Sequence, residues 1–322
     1  MKKFFRYLLV LVIIVVFGVA IGAAFIGFRD VPSYDDIPVP DYHVDVTPAR
    51  VERGKKLASM LCVHCHADPK TGVLTGTRML DAPAEFGVIN SQNITQDRTY
   101  GIGTYTDGEL LRLLRTGIKK NGQYSPPYMA KLPHMADEDI NAVIAFLRSD
   151  DPLVAPKALM DTPCEPSFLT KFLCMVAFKP LPMPEKSIPL PDTTNKVQLG
   201  KYLVHNLDCF TCHSADFKKM DVLHPENSLG YLGGGNKTLN MEGQEIVTLN
   251  ITPDKETGIG NWTEEEFVTA LKYGIKKNQP ALRYPMMPFT QLTDYEAQAI
   301  YAYLFTVPPI HNKIQRVFTT PG

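Results

Sequence analysis

Cys62-Val63-His64-Cys65-His66 and Cys209-Phe210-Thr211-Cys212-His213 each place two thiols three positions apart, with an imidazole directly after the second. Thiols at that spacing can add across the two vinyl groups of a haem, each S–H becoming a thioether, and the adjacent histidine can ligate the iron. Each pentapeptide is therefore a candidate covalent haem site, with Cys62, Cys65, Cys209 and Cys212 as attachment points and His66 and His213 as iron ligands. Other uses of paired cysteines fit less well. A zinc site gathers its ligands at short spacing, whereas the two Cys pairs lie far apart and each already carries a complete one-haem pattern. A thioredoxin-like C-x-x-C needs alternating strands and helices around it. Neither explains a histidine after both pairs.

The opposite face of each iron is the next question, because a thioether, a second imidazole and an open position imply different chemistry. An internal repeat helps to choose. Without a gap, residues 93–147 match residues 250–304 at 20 of 55 positions, including Asn93-Ile94-Thr95 with Asn250-Ile251-Thr252 and Gly117-Ile118-Lys119-Lys120-Asn121 with Gly274-Ile275-Lys276-Lys277-Asn278. That is the mark of a duplicated unit. A ligand needed by both copies should occupy matching positions, and Met129 matches Met286. His134 falls opposite Gln291 and Met135 opposite Leu292, so neither recurs. Met129 and Met286 lie in Pro-rich loops, whose restricted backbone can hold a thioether towards the iron. Met287 rivals Met286, being adjacent and also followed by proline. Met135 and Leu292 sit just before the last helix of each copy, where an apolar side chain packs back on the first turn. His64, His205, His43, His224 and His311 read as solvent-facing or core-satisfied. Tyr105 and Trp262, at matching positions, read as aromatics buried beside the haem.

Three helices per copy must position these groups. The first runs through Arg50–Leu61 and Val197–Asn206 directly into the pentapeptides. The middle one opens on the capping boxes Thr106…Glu109 and Thr263…Glu266. The last has apolar Ile140, Val143, Ile144 and Leu147, with Ala297, Ile300, Tyr301 and Leu304 in the second copy, at the spacing of one buried face. No alternating strand pattern competes, so the expectation is an all-α fold, built twice, over residues 48–150 and 196–310. At 322 residues the chain has length for two cores. The glycine-rich 230–235 reads as a loop in the longer second copy. Between the copies, residues 151–195 hold nine prolines and read as a linker with one short helix over Ser167–Phe178. Cys164 and Cys174 in that linker suit a disulfide on an oxidising side of a membrane, with two free thiols as the alternative. Residues 311–322 form a tail.

The start of the chain bears on compartment. Lys2, Lys3 and Arg6 precede an uncharged apolar run from Tyr7 to Phe28, which as a helix spans about 33 Å, enough for a bilayer core. Residues 1–28 read as a membrane anchor, with the positive charges holding the N-terminus in the cytoplasm and the rest of the chain outside. A cleaved signal ending near Gly22-Ala23-Ala24 is the other reading, and it implies the same export. Residues 29–47, rich in proline and aspartate, form a spacer that reaches at most about 60 Å when extended. With 33 basic against 34 acidic side chains, net charge gives no attraction to nucleic acid.

The two C-x-x-C-H motifs, Asn250-Ile251-Thr252-Pro253-Asp254, Thr257-Gly258-Ile259-Gly260-Asn261-Trp262 and a late Met-bearing loop before an aromatic C-terminal helix resemble class I cytochrome c domains. They are closest to those in the multihaem cytochrome subunits of bacterial membrane-bound alcohol and sugar-acid dehydrogenases. This chain departs from those subunits in having two such domains where three are common, and in beginning with a membrane span. The resemblance implies His/Met-ligated iron, two covalently bound haem c, and electron transfer without substrate chemistry. The expected product is a dihaem cytochrome anchored in the bacterial inner membrane by one pass, its soluble domains in the periplasm. Its redox partners would be a dehydrogenase, an oxidase or a quinol-oxidising complex. A dihaem peroxidase is the alternative; it would have to open one iron to peroxide, against which the matching methionines argue.

Overall fold

A computed structural model describes residues 2–276 and 280–315. Lys277 and Asn278 of the repeat, and the tail beyond residue 315, lie outside the described residues. The chain is helix-rich. Helix α1, Lys2–Phe28, buries none of its residues against the rest of the protein, and its length and apolar composition are those of a membrane span.

In the first repeat, α2 covers Pro48–Leu61 and α3 Val63–His66. Proline stands at the first helical position of α2, and the Thr47 hydroxyl accepts the Arg50 N–H. Helix α4, Asp107–Thr116, starts on the expected capping box: the Thr106 hydroxyl accepts the Glu109 N–H at 3.1 Å and the Glu109 carboxylate accepts the Thr106 N–H at 2.7 Å. It stops at Gly117, whose φ of 84° lets the chain turn where a side chain would strain it. Helix α5 is Asp137–Leu147 and α6, in the linker, is Phe168–Val176. The second repeat follows the same order with α7 (Lys196–Asn206), α8 (Cys209–His213), α9 (Glu264–Tyr273) and α10 (Asp294–Leu304).

Among the described residues, four strands of two or three residues add to the helices. Strand β1 (Gly87–Val88) pairs antiparallel with β2 (Glu165–Pro166), fixing the linker to the first repeat, and β3 (Lys237–Leu239) pairs with β4 (Glu245–Val247) inside the longer second repeat. Pieces this short carry no readable alternation. The linker also docks elsewhere: Val154 C=O accepts the Gln96 N–H and Ile188 C=O accepts the Asp137 N–H. Cys164 and Cys174 are not joined. The Asn90 backbone takes both hydrogen-bonding roles of the Cys164 thiol, while Cys174 is buried with Val31, Ile118 and Tyr124. Each sulfur thus has a separate site, and the disulfide expectation does not hold.

Each repeat has its own apolar core. Leu57, Ala58, Met135, Ile140, Val143 and Phe146 belong to one, and Leu199, Leu203, Leu292, Ile300, Tyr303 and Leu304 to the other. Met135 and Leu292 are therefore core residues, as expected. Met60 and Leu61, at the end of α2, pack against both cores. Polar links between the repeats are reciprocal: Lys56 of α2 reaches Glu296 of α10 at 2.6 Å, and Tyr202 of α7 reaches Asp139 of α5 at 2.5 Å. Lys56 and Tyr202 occupy corresponding turns of the two first helices, and Asp139 and Glu296 are aligned in the repeat.

Candidate haem sites

One cavity of about 1900 Å³ is lined by all four motif cysteines, His64, His66, His213, Met129, Met286 and Met287. The two pentapeptides share it because the ends of α2 and α7 converge between the cores. Aromatic Tyr105 and Trp262 line the same cavity at their matching positions. His205, by contrast, is satisfied in the second core, where its Nε2 lies 2.9 Å from the Tyr231 hydroxyl. His43 and His311 lie against Asp107 and Asp254 respectively.

Helix α8 carries both thiols and the imidazole of its pentapeptide on a single turn, while in the first pentapeptide Cys62 caps the junction of α2 and α3 and Cys65 and His66 lie on α3. In both pentapeptides, Nδ1 of the histidine lies 2.7 Å from a backbone carbonyl, Gln92 for His66 and Leu249 for His213. A carbonyl accepts only, so Nδ1 carries the proton and Nε2 is the nitrogen free to coordinate. Burial lowers both imidazole pKa values, and the bond to the carbonyl opposes this in part. Burial also pushes the thiols up, Cys62, Cys209 and Cys212 to about 12 and Cys65 to about 11, so they stay neutral.

The carbonyls are held by a device that sequence reasoning did not assign. Gln92 and Leu249 directly precede the repeated Asn-Ile-Thr. Asn93 Oδ1 accepts both the N–H of Thr95, at 2.9 Å, and its hydroxyl, at 2.7 Å; Asn250 does the same with Thr252 at the same two distances. All four side chains are buried. The recurrence of Asn-Ile-Thr at equal distance from each Met was the available signal.

Thioether donors stand on the loops before α5 and α10. The Ser125 hydroxyl donates to Met129 Sδ at 3.6 Å. Met286 packs against the second core, whereas Met287 is 50% exposed, so burial favours Met286 of the two. The donor set fits haem c at each site: a thiol pair, an imidazole with its tautomer fixed, a thioether on the same cavity, and apolar walls that include Ile94, Leu114, Ile251 and Leu271.

The two sites also touch. The His64 ring, within the first pentapeptide, stacks on Tyr284 of the second methionine loop with ring centroids 5.2 Å apart. Tyr284 is hydrogen-bonded to Asp81, the acidic group whose charge is felt by both Cys65 and Cys212.

Comparison with known proteins agrees with this chemistry. The cytochrome c family model matches residues 51–150 and again residues 197–308, and the chain belongs to that family. Membership brings covalently bound haem c and electron transfer rather than substrate chemistry. Among individual proteins, the chain is 30% identical over 243 residues to the alcohol dehydrogenase (quinone) cytochrome c subunit of Gluconobacter oxydans, covering 71% of this chain and 48% of that one. It is 28% identical over 277 residues to the fructose dehydrogenase cytochrome subunit of Gluconobacter japonicus, covering 80% and 52%. A diheme cytochrome c-type protein of Cereibacter sphaeroides is 29% identical over 269 residues, covering 77% and 82%. The chain thus spans about half the length of the dehydrogenase subunits it matches.

Proposed function

We propose that this chain is a dihaem c-type cytochrome that carries electrons as the cytochrome subunit of a membrane-bound dehydrogenase. In this reading residues 48–150 and 196–310 are tandem all-α class I cytochrome c domains, and α1 fixes them to the periplasmic face of the bacterial inner membrane. Cys62 and Cys65 hold one haem and Cys209 and Cys212 the other. His66 with Met129, and His213 with Met286, ligate the two irons. Haem held by these residues would supply one-electron chemistry between ferrous and ferric states, and a sulfur ligand would raise its reduction potential. The chain's own residues do the rest. Gln92 and Leu249 orient the imidazoles, Met129 and Met286 would hold the iron by sulfur and so keep substrates from it, and the shared cavity brings the two sites together.

The observation that carries this reading is the doubled donor set on one cavity, with His66 and His213 each bonded at 2.7 Å to a carbonyl. The test is an optically followed potentiometric titration of the full chain, matured in a host that assembles c-type cytochromes. Two haems per chain, both low-spin in both oxidation states, are expected. A single haem per chain would reject it outright, and a high-spin site that turns over peroxide would reject it in favour of the peroxidase alternative.

A further inference from the structure

Helix α6 presents its apolar face outwards. Thr170 and Cys174 point into the protein, with the Thr170 hydroxyl donating to Phe86 C=O at 2.8 Å. On the other side, Phe168, Leu169, Phe172 and Val176 are 38–59% exposed, and the Phe168 and Phe172 rings lie parallel. At 3.6 residues per turn these four fall within an arc of about 100°. Scattered exposed apolar residues are ordinary, but a contiguous stripe of large ones needs a cover.

Its position names the cover. Helix α6 packs against α1, and the contact is at the far end of the span, where the Lys171 ammonium donates to Gly27 C=O at 3.1 Å. Arg29 sits there too, its guanidinium 4.5 Å from the Phe25 ring centroid. Where α1 leaves the hydrocarbon, an adjoining helix with an apolar stripe and a basic flank is at the depth of the headgroups. That is the pattern of a helix lying in a bilayer surface.

We propose that α6 is a second membrane contact, dipping Phe168, Leu169, Phe172 and Val176 into the outer leaflet beside α1. The inference rests on α1 being an anchor. It implies that the linker, which also docks on the first repeat, holds that repeat close to the membrane. Residues 29–47 are not the extended spacer expected from their prolines and aspartates: the Tyr34 N–H donates to Gly122 C=O, the Val44 N–H donates to the Asp107 carboxylate, and Val31 and Val44 are buried.

The test uses the full haem-loaded chain in vesicles of phosphatidylethanolamine and phosphatidylglycerol that carry a lipid with a photoactivatable acyl chain. Adducts are mapped by mass spectrometry after irradiation. Adducts on both 2–28 and 168–176 support the proposal. The double variant Phe168→Ser/Phe172→Ser should lose those on 168–176 at least about tenfold, with α1 adducts and haem absorbance unchanged. Adducts confined to α1 overturn it and point to a protein partner as the cover. Adducts on 168–176 alone support lipid contact while rejecting α1 as anchor, and adducts on neither reject both.

Discussion

Gly54 of α2 lies so close to Ala142 of α5 that a Cβ at Gly54 would fall 1.8 Å from the Ala142 carbonyl oxygen. Gly200 of α7 stands in the same relation to Ala299 of α10, at 1.9 Å. The first and last helices of each repeat therefore cross backbone to backbone, and this crossing fixes where α2 and α7 end. Those ends carry the pentapeptides, so a missing side chain in each repeat sets the position of the thiols and imidazoles beyond it.

Gly54→Ala and Gly200→Ala should each destabilise the protein by about 3 kcal/mol, because backbone rather than a movable side chain meets the new methyl group. Helix propensity alone predicts the reverse, a gain of about 1 kcal/mol. Denaturant midpoints of the two variants decide between the signs, and a gain would mean the helices do not cross here.

Met129→Ala and Met286→Ala should each remove about half of the weak sulfur-to-ferric-iron absorption and lower one of the two reduction potentials. Met287→Ala should leave both signals in place, since its side chain is half exposed while Met286 packs on the core. Loss of the signal in Met287→Ala, with Met286→Ala silent, would exchange the two assignments.

The parts of the site legible in the sequence were those encoded locally. Cys62 to His66 and Cys209 to His213 declare their chemistry within five residues, and Thr106 with Glu109 marks a helix start within four. Comparing the repeats pointed to Met129 and Met286, which line the same cavity as the pentapeptides. What stayed hidden depends on contacts made across the chain. Gly54 inside a helical run reads only as a weak helix former until Ala142 is seen opposite it. Asn93 reads only as part of the repeat until the Gln92 carbonyl is found against His66. Cys164 reads as half of a disulfide until the Asn90 backbone is found occupying its thiol. Helix α6 ends at Val176, short of the expected Phe178, because Ala177 leaves helical geometry and the Phe178 N–H turns back to the Leu173 carbonyl.

Tyr202→Phe tests the joint between the repeats. The Tyr202 hydroxyl donates to Asp139 at 2.5 Å and accepts the N–H of fully buried Ala136 at 3.0 Å. Removing it strands that N–H and takes a donor from the carboxylate, a cost of about 1–3 kcal/mol. Lys56→Met, at the reciprocal link, should cost about 1 kcal/mol or less, because both partners are partly solvated. Equal losses in the two variants would contradict this ranking.

His205 should make the second repeat sensitive to mild acid. Its imidazole is buried among Phe210, Tyr231 and Tyr303 with its side chain 7% exposed. Burial lowers its pKa; Glu226 opposes the shift, while Lys201 and His134 add to it. The unfolded chain, titrating near the usual 6.5, then takes a proton that the folded chain refuses. The associated stability is complete above about pH 6.5 and is lost as pH falls towards the lower folded value, a loss of about 2 kcal/mol by pH 5. In His205→Gln this component should vanish, so its stability should fall less between pH 7 and pH 5 than that of the parent. Parallel curves for the two proteins in denaturant titrations at both pH values would show that His205 protonates equally well folded and unfolded, and that the acid sensitivity of the chain lies with its carboxylates.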